Sequence, residues 1–279
     1  MKIIILILVL ICSVMFYMCL SHKNNFERCG GYKLKPKNIN TSYNIITSCT
    51  TSPTRISKMK DTFYTLKKQT VSPNYMLLNL PYVYGRTNET YNIPEYILND
   101  DSIVINRIDM DYGPATKLVG AILAIPKEQD TWIIVHDDDQ LYLQNTVETY
   151  VDYINKYSSN KIAFTISGFN FSNDMKTILR ENKNLFKVQI AEGFCTFCVH
   201  RSVFEDDFIP YIINTNKSKD CKLSDDLIIS NYLAYKNIDI LQISQNDISK
   251  ELWWNLGCEL EYGNEGDALK NSDKMMINC

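Results

Sequence analysis

The feature that constrains this chain most is a regular alternation of apolar runs with segments in which apolar residues recur at helical spacing. Between the first two runs, Ile56, Met59, Phe63 and Leu66 are spaced three or four residues apart, which predicts a helix starting near Ser52. Alternation of this kind predicts an α/β protein with a mostly parallel sheet and helices on both faces. Strands are predicted at 43–49, 75–80, 102–108, 131–136, 161–166, 186–190, 194–199 and 238–243.

Further helices are predicted at 115–124, along the stripe from Val147 to Tyr157, and at 225–234. The run Thr131–His136 shows almost no polar alternation, as expected of a parallel strand that is covered on both faces. In sheets of this class, ligands bind outside the carboxyl ends of the strands. The residues that follow each predicted strand are therefore the candidates for a binding site.

The N-terminus is predicted to enter a membrane. The segment 3–20 carries no charge, and about 18 apolar residues reach the length of a span. A cleaved signal peptide has a shorter apolar region, of about 7–15 residues, although Cys19 and Ser21 imitate a cleavage site. The prediction is a signal-anchor helix in a single-pass type II protein, with the body in an ER- or Golgi-like lumen. Secretion after cleavage is the alternative.

The 279 residues are long enough for one large α/β domain. We assign 1–21 to the transmembrane signal-anchor, 22–42 to a polar stem, 43–250 to the main α/β domain, and 251–279 to a C-terminal tail. The formal charge is -3 and no stretch concentrates lysine or arginine, which excludes a nucleic-acid partner. Four sequons, at Asn40, Asn88, Asn170 and Asn216, permit N-glycosylation in a lumen.

Cys195 and Cys198 have the spacing of half a zinc site or of a redox pair. A zinc site needs two more ligands, and the sequence has no second pair of this spacing. A structural disulfide or two buried thiols is therefore the prediction.

Three consecutive carboxylates, Asp137, Asp138 and Asp139, follow the most apolar predicted strand. They repel one another and each is costly to desolvate, so a buried strand end needs a compensating cation. Alternate residues of an extended segment point the same way, so Asp137 and Asp139 are predicted to share one ion. Oxygen ligands suit Mn²⁺ or Mg²⁺. The alternative is a solvated acidic turn.

Two other segments offer groups for a phosphorylated ligand. Gly113 permits close backbone approach before a helix N-terminus, and Lys117 adds positive charge for a diphosphate; a simple Gly-Pro turn is the alternative. At the end of the first strand, hydroxyls and a guanidinium can bind a base and ribose, or can serve only in turns and caps. The second group comprises Thr47, Ser48, Thr50 and Arg55.

Asp225 and Asp226 open a predicted helix, where one carboxylate can act as a base or both can simply stabilise the helix dipole. Two further groups are candidates for the acceptor side. Trp253 and Trp254 can stack on a sugar or pack in a core. Glu192-Gly193-Phe194 leads into a predicted strand and can shape the same side.

Together these segments resemble GT-A glycosyltransferases, particularly glycosyltransferase family 2-like proteins with a DXD motif. The matching stretches are 45–81, 111–122, 132–142, 192–194 and 223–233, in the family's order. The resemblance implies a Rossmann-like GT-A fold that transfers a sugar from a nucleotide-diphosphate donor to a glycan, protein or lipid hydroxyl. The arginine-rich signature of processive synthases is absent and no further membrane helices follow, so a single transfer is expected.

The resemblance also implies that 43–250 is the catalytic domain and that the tail at 251–279 packs on or near the acceptor side. It further implies roles for residues. Asp137 and Asp139 should hold the metal, with Asp138 beside the donor. Asp225 or Asp226 should be the base of an inverting reaction, and we prefer Asp226. The segment 47–55 should meet the nucleotide, while Asp111, Gly113 and Lys117 should lie near ribose or diphosphate.

Two other classes remain open. Phosphatases of the haloacid dehalogenase type also place Asp-x-Asp after a buried strand, but they have Thr or Val where this chain has Leu141. The other class is a membrane-tethered glycan-binding protein without catalysis.

Overall fold

The computed structural model describes residues 39–173, 177–181, 183–243 and 257–259. Its strands are β1 Asn44–Thr50, β2 Met76–Pro81, β3 Ile103–Ile108, β4 Thr131–Val135, β5 Gln140–Tyr142, β6 Ile162–Thr165, β7 Gly168–Phe171, β8 Ile178–Leu179, β9 Phe186–Val188, β10 Ile190–Ala191, β11 Phe197–His200, β12 Asp239–Gln242 and β13 Gly257–Glu259. Its α-helices are α1 Lys60–Lys67, α2 Glu95–Leu98, α3 Thr116–Ala124, α4 Thr146–Tyr157, α5 Phe208–Thr215, α6 Lys219–Lys222 and α7 Asp225–Tyr235.

Eight strands form the central sheet, in the order β3-β2-β1-β4-β11-β6-β12-β9. The neighbours β3, β2, β1 and β4 are parallel, and β12 is parallel to β6. Strands β11 and β9 are antiparallel to their neighbours. The predicted α/β architecture with a mostly parallel sheet is thus confirmed. The antiparallel strands were not predicted, because a short apolar run does not encode strand direction.

Helices cover both faces of the sheet, as predicted. Alternate residues of β4 face opposite ways, so Ile133 packs in one buried cluster and Ile134 in another. The first cluster contains Leu118 of α3 and Ile228 of α7. The second contains Val147 of α4. All five residues of β4 are buried, which explains the unbroken apolar run.

The first predicted helix begins later than expected. A short 3-10 turn at Ile56–Lys58 precedes α1, and neither element has a side-chain cap at its start. Ser52 therefore lies in the turn before them. The predicted apolar stripe is nonetheless confirmed, since Ile56, Met59, Phe63 and Leu66 are all buried in one cluster.

Three described cysteines, Cys49, Cys195 and Cys198, are buried free thiols, and burial raises the pKa of each well above its ordinary value. The pair Cys195 and Cys198 therefore forms no disulfide, which leaves the buried-thiol prediction. Cys221 is disulfide-bonded.

The predicted anchor at 1–21, most of the stem, and both Trp253 and Trp254 lie outside the described residues. Among the helices that are described, none has the length and apolar character needed to cross a membrane. The anchor and its type II orientation stay predictions. Of the predicted tail, β13 pairs antiparallel with β5, the strand directly after the three aspartates.

Candidate active site

The three aspartates follow the carboxyl end of β4, a strand in the middle of the central sheet. Strands β1 and β4 are adjacent and in register, with Ser48 opposite Val135, so the segments following both strands meet at one edge. A cleft of about 340 Å³ opens there, within the range of small-molecule sites. It is lined by residues 50–55, Tyr84, Arg86, Thr87, Glu89, Tyr91, Asp111, Gly113, Pro114, Lys117, Asp137 and Asp138.

Internal cations pair with all three aspartates. Lys117 Nζ lies 2.7 Å from Oδ1 of Asp137. Arg55 bridges the other two, with its guanidinium 2.6 Å from Oδ2 of Asp139 and also bound to Asp138. Asp138 further accepts a hydrogen bond from the Thr51 hydroxyl. The loop is thus a paired charge network rather than a solvated acidic turn.

The structure orients Asp137 and Asp139 differently from the sequence-based expectation. Residues 138 and 139 form a bend, so the segment is not extended and alternate side chains need not point together. Asp137 pairs with Lys117, while Asp139 shares Arg55 with Asp138. The Asp137 side chain is 33 % exposed, against 7 % for Asp138 and 11 % for Asp139, so Asp137 is the most open toward solvent and ligand.

Lys117 links two parts of the site that are distant in sequence. It is 3 % exposed and its Nζ lies 2.9 Å from Oδ2 of Asp225 as well as beside Asp137. Burial alone would lower the pKa of Lys117, but the charges of Asp137, Asp225 and Asp226 raise it well above its ordinary value. The lysine is therefore a permanent buried cation.

Asp225 and Asp226 begin α7 and face this lysine. Oδ1 of Asp226 accepts a hydrogen bond of 2.9 Å from the backbone N–H of Gly193. Burial, reinforced by the charge of Asp225, raises the pKa of Asp226 well above that of a free carboxyl group. Burial also raises the pKa of Asp225, with Asp137 adding to the effect and Lys117 opposing it. A carboxyl group with a raised pKa is a stronger base once it is ionised.

In the network around Lys117 and Arg55, the five carboxylates of Asp137, Asp138, Asp139, Asp225 and Asp226 outnumber these two cations. Burial also raises the pKa of Asp138 to about 7, although Arg55 opposes the shift. Burial and the charge of Asp137 raise the pKa of Asp139. Such a surplus of negative charge favours a further cation at this edge of the sheet.

Gly193 is packed too tightly to carry a side chain. A Cβ atom there would lie 2.7 Å from Nζ of Lys117 and 2.9 Å from Oδ1 of Asp226. The neighbouring Glu192 is buried, accepts a hydrogen bond of 2.7 Å from the Ser167 hydroxyl, and pairs with Arg180. The predicted acceptor-side pair Glu192-Gly193 thus lies directly beside the predicted base.

The predicted nucleotide-binding residues divide into two groups. Thr47 and Ser48 are fully buried within β1 and do not line the cleft. The Ser48 hydroxyl instead donates a hydrogen bond of 2.5 Å to the carbonyl of Lys117, which ties β1 to α3. A buried strand hydroxyl points into the sheet packing, so these two residues position the site without lining it. Thr50 and Arg55 do line the cleft.

Asp111 and Gly113 also line the cleft. Asp111 accepts backbone hydrogen bonds from Gly85 at 2.7 Å and from Gly113 at 2.8 Å, and so holds two loops together. Gly113 has a φ of 66°, a left-handed conformation that favours glycine. A Cβ atom added at position 113 would lie 2.9 Å from the backbone carbonyl oxygen of Lys222.

Sequence reasoning missed the loop between β2 and α2, which forms one wall of the cleft. Tyr84, Arg86 and Tyr91 line it, and the Tyr91 hydroxyl donates a hydrogen bond of 2.9 Å to the carbonyl of Thr51. Irregular loops carry no periodicity, so the only available signal was the pairing of aromatic and basic residues after a predicted strand.

Comparison with known proteins gives no assignment of family. No family model matches the chain, and no curated protein matches it. Among solved structures, similarity extends to the Staphylococcus aureus TarS 1-349 crystal structure, with a TM-score of 0.47 and 12 % identity over 74 % of this chain. It also extends to the crystal structure of GalNAc-T7 with UDP, GalNAc and Mn²⁺, with a TM-score of 0.47 and 10 % identity over 82 % of this chain. The chain spans 59 % and 51 % of the lengths of those two chains.

Proposed function

We propose that this protein is a metal-dependent glycosyltransferase of the GT-A type, which moves a sugar from a nucleotide-diphosphate donor to an acceptor hydroxyl with inversion. One observation supports it above the others. A buried lysine joins Asp137, at the mouth of the cleft, to the Asp225-Asp226 pair at the start of α7. That arrangement supports the proposal, because a cation suited to a diphosphate and a carboxyl group whose raised pKa suits a base lie side by side.

The donor set fits a hard divalent ion that is completed by its substrate. Among the described residues, no group of three or more His, Cys, Asp or Glu side chains is placed to hold a metal by itself. Mg²⁺ usually binds through one or two carboxylates together with substrate phosphate oxygens. The surplus of carboxylates and the exposure of Asp137 suit that mode. Asp137, which lines the cleft, would be the first ligand. Asp139 would be the second only if its carboxylate turned from Arg55 toward the cleft. A bound ion would offset charge on the departing diphosphate.

The chain's own residues account for the remaining steps. Arg55 and Lys117 place positive charge at the cleft, where it can orient the donor diphosphate. Asp226 takes the proton of the acceptor hydroxyl as its oxygen attacks the anomeric carbon. The bond from that carbon to the diphosphate oxygen breaks, and the nucleoside diphosphate leaves with the electron pair. We further propose that the N-terminal segment anchors this domain in a membrane, facing a lumen.

Donor hydrolysis in the absence of acceptor should depend on Mn²⁺ or Mg²⁺ and on the loop aspartates. Asp137→Asn or Asp139→Asn should lower it by about 100–1,000-fold, the usual loss when one group that stabilises transition-state charge is removed. Both variants should fold, since Lys117 keeps Asp225 and Arg55 keeps Asp138 as partners. The measurement is a screen of nucleotide sugars for metal-dependent release of nucleoside diphosphate.

The matched control is Asp100→Asn, which removes a carboxylate paired with Lys67 far from the cleft. It should leave hydrolysis unchanged. Full activity in both Asp137→Asn and Asp139→Asn would contradict the metal assignment. Hydrolysis of a simple phosphate ester instead of nucleotide sugars would favour the phosphatase class, and binding of glycans without turnover would favour an inactive lectin-like protein.

Gly193→Ala should impair catalysis because an added methyl group would displace Lys117 or Asp226. The added methyl group would push Lys117 Nζ or the Asp226 carboxylate out of place, and misplacement by about 1 Å can cost about 100-fold in rate. Donor hydrolysis per folded molecule is the measurement. Unchanged hydrolysis in Gly193→Ala would show that this close packing is not needed.

A further inference from the structure

One wall of the cleft carries two charged groups that the proposed reaction does not use. Arg86 and Glu89 both line the cleft, and both are exposed. Of the other charged residues described in its lining, Asp111 already accepts two backbone hydrogen bonds, and the rest belong to the network around Lys117 and Arg55. That network is where a diphosphate would be held. Arg86 and Glu89 are therefore left to contact another part of the donor.

A short hairpin presents these two residues to the cleft. Tyr84 and Glu89 form an antiparallel bridge, in which the Tyr84 N–H donates a hydrogen bond of 2.8 Å to the Glu89 carbonyl. The Gly85 N–H donates one of 2.7 Å to Asp111, which attaches the hairpin to the segment after β3. Arg86 thus lies between backbone groups that are hydrogen-bonded on both sides of it.

Local contacts orient both side chains. The guanidinium of Arg86 lies 5.9 Å from the ring centre of Tyr84, and that ring packs edge-on against Tyr91 at a centre distance of 6.4 Å. The Thr87 hydroxyl donates a hydrogen bond of 2.6 Å to Oε2 of Glu89. A guanidinium that rests on a packed aromatic ring loses less freedom when it binds a ligand.

The hairpin and the charge network face each other. Burial raises the pKa of Tyr84, and the neighbouring charge of Arg86 opposes the rise. Arg55 and Asp138 of the network act on the same pKa in opposite directions. Charges shift a pKa strongly only over short distances, so the hairpin lies close to the network. A nucleotide whose diphosphate contacts the network can therefore place its base against the hairpin.

The chemistry of the two groups matches the edges of one base. A guanidinium donates two parallel hydrogen bonds, which suits the adjacent acceptors O6 and N7 of guanine. A carboxylate accepts two, which suits the adjacent donors of guanine at N1 and the exocyclic amino group. Uracil alternates acceptor, donor and acceptor along its edge, so neither charged group finds a matching pair. Adenine carries a donor beside N7, which opposes a guanidinium.

We propose that Arg86 and Glu89 recognise the base of the donor and that this base is guanine, so that the substrate is a guanosine diphosphate sugar. The inference rests on the proposed glycosyl transfer and specifies the nucleotide of its donor. Arg86 donates to O6 and N7, and Glu89 accepts from N1–H and the amino group. The diphosphate then extends toward Lys117.

The test is calorimetric binding of GDP, UDP, CDP and ADP to the full chain in detergent, with Mn²⁺ present. GDP should bind at least about tenfold more tightly than UDP, the usual discrimination from one bidentate contact to a base. Arg86→Lys keeps the charge but loses the fork of donors, so it should weaken GDP binding to the level of UDP and leave UDP unchanged. Glu89→Gln should also reduce the preference, because an amide replaces one acceptor with a donor.

The matched control is Arg107→Lys. Arg107 packs 4.9 Å from the ring centre of Tyr82 and does not belong to the described lining of the cleft. The same replacement there should leave the preference for GDP unchanged.

Each outcome bears on a different statement. If no nucleoside diphosphate binds in the presence of metal, the proposed function itself fails. If UDP, CDP or ADP binds as tightly as GDP, glycosyl transfer stands and the guanine assignment is wrong. A preference that survives in both Arg86→Lys and Glu89→Gln would show that other residues recognise the base. Equal weakening of all four nucleotides in Arg86→Lys would place Arg86 on the phosphates and contradict its role in base recognition.

Discussion

Replacing Lys117 with methionine should lower the free energy of unfolding by about 3–5 kcal/mol, the usual cost of breaking a buried ion pair from one side. The variant leaves Asp225 buried without its cation, beside a further carboxylate at Asp226. Methionine keeps most of the lysine's volume, so the loss reports on charge rather than on a cavity. Urea denaturation at neutral pH measures it.

The matched control is Lys67→Met. Lys67 pairs with Asp100 on the surface, with its own side chain 45 % exposed, and pairs of that kind contribute about 0–1 kcal/mol.

The loss of unfolding free energy in Lys117→Met should also become smaller as the pH falls. Protonation neutralises the carboxylates that have lost their partner, so the variant and the original protein converge in acid. A deficit that is below about 1 kcal/mol or independent of pH would refute the network, because both features follow from the buried charge.

Asp226→Asn should lower the rate of sugar transfer by about 100–10,000-fold, the range that general-base catalysis supplies. The fold should be preserved, because an asparagine oxygen can still accept the Gly193 N–H. In the unmodified protein, burial and Asp225 raise the pKa of Asp226, so the base is protonated at acidic pH. Transfer should therefore increase as the pH rises through that pKa. The variant should lack this acidic limb.

Asp225→Asn separates the two candidate bases. Asp225 is an ion-pair partner of Lys117, so its loss should act on stability and on donor binding while the acidic limb of the pH profile stays. If Asp225→Asn removed the limb and Asp226→Asn kept it, the base would be Asp225. If both variants transferred sugar at the original rate, neither carboxylate would be the base.

The sheet and the burial of both its faces could be predicted from the sequence. A strand that is covered on both sides is a continuous apolar run, as Thr131–Val135 is. The helix after β1 could be predicted because the apolar residues from Ile56 to Leu66 recur at helical spacing, and in the structure they pack in one cluster. Residues after β1 and β4 were expected to meet, because parallel strands end at the same edge. In the structure Arg55, which follows β1, and Asp138, which follows β4, form an ion pair, although the pair itself was not predicted.

Other features depend on geometry that no local pattern encodes. A bend at 138–139 decides that Asp137 and Asp139 pair with different cations, and a single residue's backbone angles can cause such a bend. The contact between Lys117 and Asp225 joins residues far apart along the chain, so neither segment predicts the other. Thr47 and Ser48 look like binding hydroxyls in sequence, but both faces of β1 are covered, so both residues lie in the interior.

The link between Lys117 and Asp225 also has a consequence for biosynthesis. A ribosome adds about 5–20 residues per second, so the aspartate emerges about 5–20 s after the lysine. During that interval the N-terminal part of the sheet can form, but Lys117 must wait for Asp225, its partner in α7. The nascent chain therefore cannot complete the ion pairs of Lys117 until α7 has been synthesised, and a chaperone that binds the chain during this delay should increase the yield of folded protein.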